Sequence, residues 1–187
     1  SYAKKQESDI KIEGSAAIGL LKLEKIISQF EALISSNSIH EKKDIHPFLI
    51  KNPFLVHNSS SDIKSEVQIG LGAEYKIDFV VRMPDSSYFL VEIENPKHKL
   101  FTKKGDFSSA VNHAVRQVED WQEWIENNLS TVQTKYPGLI SPEGIVIIGR
   151  SNTLTISEQK KLSRRNINSR GKIKIITYDN LLLNAKT

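Results

Sequence analysis

A chain of 187 residues, 39% hydrophobic and 26% charged, is long enough to bury a core of its own and reads as one globular domain with an appended helical segment. The absence of cysteine excludes disulfides and thiolate metal sites and fits a reducing, cytoplasmic location. Net charge is only +4, no apolar run nears the roughly 18–20 residues that span a bilayer, and the polar start lacks a signal-peptide core, so no membrane partner is expected. The only Met is Met83, and the chain is expected to be a piece of a longer protein.

In chain order, residues 18–34 read as an amphipathic helix, with Leu20, Leu23, Ile27, Phe30 and Ile34 at helical spacing. Residues 41–51 predict a short helix interrupted by Pro47 and stopped before Pro53. A polar turn at 58–62 precedes a strand at 67–71, where Gly70 and Gly72 mark a bend. Residues 75–82 alternate, with Ile77, Phe79 and Val81 on one face and Lys76, Asp78, Val80 and Arg82 on the other. Turn residues follow at 83–87, then a second alternating strand at 88–94 with Phe89, Val91 and Ile93 inward, ended by Asn95-Pro96. Residues 106–129 predict the longest helix, capped by Asp106 or Ser108 and striped by Val111, Val115, Val118, Trp121 and Ile125. The apolar run 144–149 reads as a central strand buried on both faces. A short helix at 157–165 capped by Ser157, a strand at 172–177 and a helix from 179 complete the chain. This succession predicts an α/β fold, a mixed central sheet flanked by helices.

The hairpin carries the chemistry. A turn centred near Asp85 puts Asp78 opposite Glu92, and strand parity puts Glu94 on the same face one pleat further on. Opposed acids destabilise a sheet and raise one another's pKa, and a divalent cation removes the conflict. Mg²⁺ or Mn²⁺ is the expected cofactor, because oxygen ligands suit these ions and a metal so held can activate water and polarise a phosphate. Against this stands the plainer reading of acids on a solvated sheet face, balanced by Lys76 and Arg82.

Basic residues cluster in two places. One run holds Lys160, Lys161, Arg164, Arg165, Arg170, Lys172 and Lys174 without an acid; the other holds Lys97, His98, Lys99, Lys103 and Lys104. Both suit a phosphate backbone, or simply a solubilising surface. Arg150, at the end of the buried strand, either contacts phosphate or closes a salt bridge with Asp179 or a helix. The five histidines lack zinc-ligand spacing, and His113 reads as a surface or packing residue.

A strand Asp, a turn and then an acid-x-Lys strand form the PD-(D/E)XK nuclease signature, which Asp78 and Glu92 match. Glu94 stands at the Lys position, giving the E-x-E variant of some restriction endonucleases. The run IDFVVRMPDSSYFLVEIENPKHKLFTKKGDFSSAVNHAVRQVEDWQEWIENN, with GIVIIGR and ITYDNLL, resembles the nuclease domain of the Shedu anti-phage defence family over about residues 48–183. The resemblance implies a restriction-endonuclease-like domain at 46–187 behind a helical lead-in at 1–45. It implies metal-dependent DNA cleavage, a homo-oligomer (dimer or tetramer), a phage-derived trigger and a sensing N-terminal region absent here. It further implies that Asp78 and Glu92 bind metal, that Glu94 is ligand or general base, and that Gln117 points back to the site. Lys97 or Lys99 would supply the positive charge of the missing Lys, and Glu41 or Glu31 a further acid. Lys99, Lys103, Lys104, Arg150, Lys160, Lys161, Arg164 and Arg165 are the expected DNA contacts. The competing expectation, motivated by Glu94, is a degenerate site on a nucleic-acid-binding or assembly module.

Overall fold

The computed structural model describes residues 2–70, 75–169 and 172–186, with side chains from residue 18 onward. Five strands form one mixed sheet: β1 (Asp62–Ile69), β2 (Tyr75–Arg82), β3 (Tyr88–Ile93), β4 (Glu143–Ile147) and β5 (Ile173–Ile176), in that spatial order. β1, β2 and β3 pair antiparallel; β4 joins β3, and β5 joins β4, in parallel. The two parallel connections contain helices, as parallel crossovers require. Among the described residues no helix is long and apolar enough to cross a membrane.

Helices cover both faces. On one side α3 (Ser109–Asn127), α4 (Leu129–Lys135) and α5 (Ile156–Asn168) pack over Val80, Leu90, Val146 and Ile175, with Trp121 at the centre of α3's stripe. On the other, α1 (Tyr2–Ser35), α2 (His46–Lys51) and α6 (Tyr178–Lys186) enclose Phe79, Val81, Val91 and Ile147 around Phe30, Leu49 and Tyr178. The longest helix is therefore α1, not the one around Trp121. Ser108 caps α3, its hydroxyl accepting from Val111 N at 3.3 Å. α5 starts at a capping box of Thr155 and Glu158 rather than at Ser157, because that pair satisfies the free amides of the first turn reciprocally.

One expected face is reversed. Ile77 packs on the α3 side and Phe79 on the α1 side, although they are two residues apart. The pairing of β1 with β2 lapses between Ser65–Phe79 and Val67–Ile77, where Glu66 adopts a positive φ of 51°. A left-handed residue breaks the simple alternation of a strand, so the ribbon rolls over at the level of Asp78. Val80, expected on the polar face, is buried under the α3 layer. Leu71, Gly72 and Arg170 lie outside the described residues.

Candidate active site

β2 and β3 keep the expected register, Phe79 facing Val91 and Arg82 facing Tyr88, but the ladder ends one pair before Asp78 and Glu92. There the Asp78 side chain takes over, Oδ2 accepting from Ile93 N at 2.9 Å. Glu92 is only 7% exposed and its Oε2 has no hydrogen-bond partner. Burial, then the charge of Asp78 and a side-chain hydrogen bond shared with it, then the charges of Glu94 and Glu41, push its carboxyl up to about 10.

Glu94 follows β3 and is held through its backbone. Its N–H donates to Ile147 O at 2.8 Å, and its carbonyl accepts from the buried Tyr178 hydroxyl at 2.7 Å. His98 Nδ1 lies 3.2 Å from Glu94 Oε2. The fourth acid, Glu41, comes from a π-helical turn (Glu41–Ile45) fixed by Asp44, whose Oδ2 accepts from His40 N at 2.7 Å, and by the fully buried Ile45. Asn95 ties this turn to the end of β3, its Nδ2 donating to Ile39 O at 3.3 Å. Partial burial, then Glu94 and Asp78, pushes Glu41 up to about 7, against a smaller opposing effect of Lys42. Glu31 does not join; it is exposed and lies 3.7 Å from Lys186 Nζ.

Four neighbouring carboxylates, one of them buried with an oxygen that has no partner among the described residues, are unfavourable as anions without a cation. Their oxygen chemistry fits Mg²⁺ or Mn²⁺. As they stand, no three His, Asp or Glu side chains among the described residues are gathered tightly enough to hold an ion. Mg²⁺ commonly takes only one or two carboxylates and completes its shell with water and substrate phosphate.

Lys97, His98 and Lys99 are exposed on the loop after Glu94. That loop packs on Gly149, which has a φ of +64° and where a Cβ would meet His98 O at 2.5 Å. Lys103 and Lys104 lie on an exposed turn beside α5, whose Lys161 donates to Gly105 O and lies over the Phe101 ring. A groove of about 500 Å³ lined by Phe107, Lys161, Arg164 and Arg165 runs along this face. Lys160 and Arg164 are exposed; Arg165 is half-buried and donates to Ile173 O, fastening α5 to β5. Of the two roles open to Arg150, the structure contains the salt bridge: its Nε and Nη2 bind Asp179 at 2.9–3.1 Å and Nη1 donates to Ile34 O. Gln117 is half-buried on α3 and makes no hydrogen bond among the described residues. His113 is exposed.

His46 was not legible as a site residue. It is 7% exposed, stacks edge-on against Phe79, and places Nε2 3.8 Å from Asp78 Oδ1. Only its position beside Pro47, at the start of a helix, could be read from the sequence, and that carries no signal of burial.

The family model for Shedu protein SduA, C-terminal, matches residues 39–182. The chain belongs to this family. The Shedu match begins just before Glu41 and takes in all four acids and His46. Among solved structures, the Shedu chain is similar to that of the EndoMS–dsDNA2 complex (15% identity, TM-score 0.36, covering 71% of this chain and 42% of that one). It is also similar to a repair endonuclease from Pyrococcus abyssi (15% identity, TM-score 0.42, 76% and 49%). The chain thus spans less than half of either structure's length. No curated protein sequence matches it.

Proposed function

We propose that this chain is the nuclease domain of a Shedu defence protein and hydrolyses DNA phosphodiesters with Mg²⁺ or Mn²⁺. The observation that carries the reading is Glu92, a buried carboxylate with an unpartnered oxygen, pressed by Asp78, Glu94 and Glu41. Membership of the family supports the anti-phage role. Asp78 and Glu92 would hold the cation, which when bound supplies charge neutralisation and an acidified water. Glu94, pinned by Ile147 and Tyr178, serves as a further ligand or accepts the water's proton at a carboxylate oxygen. Glu41 closes the acidic side of the site. Lys97 and Lys99, on the exposed loop after Glu94, would stabilise the phosphate as negative charge builds on it. Lys103, Lys104, Lys160, Lys161 and Arg164 bind the DNA backbone without reading sequence. Gln117, its amide free of other bonds among the described residues, orients water. A homo-oligomer, a phage-derived trigger and a cytoplasmic setting belong to the same proposal.

Glu94, standing where the motif has Lys, favours a second reading, a binding module with a degenerate site. Supercoiled plasmid separates the two. With Mg²⁺ or Mn²⁺, nicking is expected from the wild type and from neither Asp78→Ala nor Glu92→Ala. DNA retention indifferent to EDTA, with no cleavage under any metal in this chain or the full-length protein, would establish the module.

A further inference from the structure

A duplex backbone asks only for cations on a surface, whereas a single strand is held by cations together with aromatic faces on which its bases stack. The groove between α5 and the loop that leads into α3 offers both. It measures about 500 Å³, within the range of small-molecule sites, and is lined by Phe107, Lys161, Arg164, Arg165, Asn168 and Ser169. Among the described residues no acid lines it, and its surface is largely apolar despite three cations. Lys161 and Arg164 are exposed, so their stems wall the groove while their charged heads stand in water. Asn168, exposed on the last turn of α5, adds an amide that can both donate and accept.

We propose that this groove takes an unpaired base of a DNA strand, stacked on Phe107 with the adjoining phosphates on Lys161 and Arg164, so that the domain prefers single-stranded or locally unpaired DNA to intact duplex. The inference rests on the DNA-binding reading above and adds the strand state of the substrate. Phe107 is half-buried; one face of its ring stacks on the buried Phe101, with centroids 4.7 Å apart, and the ring also lines the groove. The platform is held from several sides. An isolated antiparallel bridge joins Phe101 to Phe107, Thr102 N donates to Asp106 O at 2.8 Å, and Ser108 N donates to Leu100 O at 2.8 Å. From α5, Lys161 donates to Gly105 O and sets its ammonium 5.9 Å from the Phe101 ring centroid. A ring fixed in this way loses little freedom when a base settles on it. Stacking on a phenyl face is sequence-tolerant, because every base has a π-face, and this agrees with backbone contacts that read no sequence. A base paired inside a duplex presents only its edge to a groove, so the same ring adds little to duplex binding.

The test measures binding of the intact chain in EDTA, where no cleavage intervenes, by fluorescence anisotropy of labelled oligonucleotides of one length. Wild type should bind the single strand more tightly than the blunt duplex. Phe107 also packs against the core beneath α3, so Phe107→Leu keeps apolar contact there and removes the stacking face. That variant should bind the single strand roughly tenfold more weakly, the order of one base stacked on an aromatic ring, and change duplex binding much less. Lys161→Gln and Arg164→Gln should weaken both forms. A strand whose bases are replaced by abasic sites should lose roughly the same tenfold on the wild type, which decides the matter even if Phe107→Leu fails to fold. Equal binding of strand and duplex, an abasic strand held as tightly as an ordinary one, or a folded Phe107→Leu with unchanged strand affinity overturns the inference and leaves the DNA-binding reading standing. So does thymidine monophosphate that binds saturably through Phe107 while the strand does not. A wild type that binds neither strand nor duplex overturns both.

Discussion

A carboxylate on a strand normally points to water, and that of Glu92 does not. Its burial, with three acidic neighbours behind it, favours the protonated form in the absence of metal. Glu92→Gln supplies a neutral isostere and should raise the stability of the metal-free chain by about 1–3 kcal/mol, several degrees in Tm, while abolishing nicking. Thermal unfolding in EDTA beside a plasmid assay measures both, and a destabilised variant would contradict the account. Glu41 sets a pH window. Its folded pKa of about 7 lies above the ordinary 4.5, so the native state binds more protons than the unfolded one between those values. Metal-free stability should therefore be full below about 4.5 and fall as pH rises towards 7. With the carboxyl about half exposed, the loss is on the order of 1 kcal/mol. Unfolding curves at several pH values should show this slope for the wild type and a shallower one for Glu41→Gln. A slope of opposite sign would remove the case for a crowded carboxylate site.

At the element scale, the ends of α1, β4 and α6 meet at Arg150. Burial alone would raise Asp179, but hydrogen bonds from Arg150 and from Ser151 N hold it below the ordinary carboxylate range. Arg150→Ala leaves Asp179 and the Ile34 carbonyl without that partner and should cost about 2–4 kcal/mol in chemical denaturation. A loss below about 0.5 kcal/mol would deny the clamp its role. The turn carrying Lys103 and Lys104 is joined to the helix carrying Lys161 through Gly105, and these lysines are the proposed DNA contacts. Lys103→Gln, Lys104→Gln and Lys161→Gln should each reduce the slope of log affinity against log salt by about one, equally for unrelated DNA sequences. Salt slopes that do not move would place the DNA elsewhere.

Across the whole molecule, what local pattern fixes was legible and what distant packing fixes was not. The β2–β3 register followed from alternation and the turn near Asp85, and so did the approach of Asp78 to Glu92. The rollover at Ile77 did not, because its cause is the positive φ of Glu66 on the neighbouring strand. Thr155 and Ser157 are both cap formers, and only the reciprocal bond to Glu158 separates them. Glu41 and Glu31 were equivalent as acids in helical surroundings. The link from Asn95 to Ile39 brings the first to the site, whereas the second faces Lys186. His46 needed the structure outright, since its burial comes from α2 packing across Phe79.

The sheet positions the acids where an antiparallel hairpin passes into a parallel pair, with β3 shared by both. The central claim is that these acids share one cation. A crystal structure of the chain grown with Mn²⁺ and recorded at an anomalous wavelength tests it most directly. The account predicts an anomalous peak within about 2.0–2.3 Å of carboxylate oxygens of both Asp78 and Glu92. No peak between those two residues at saturating Mn²⁺, or full occupancy at a different cluster, would contradict it.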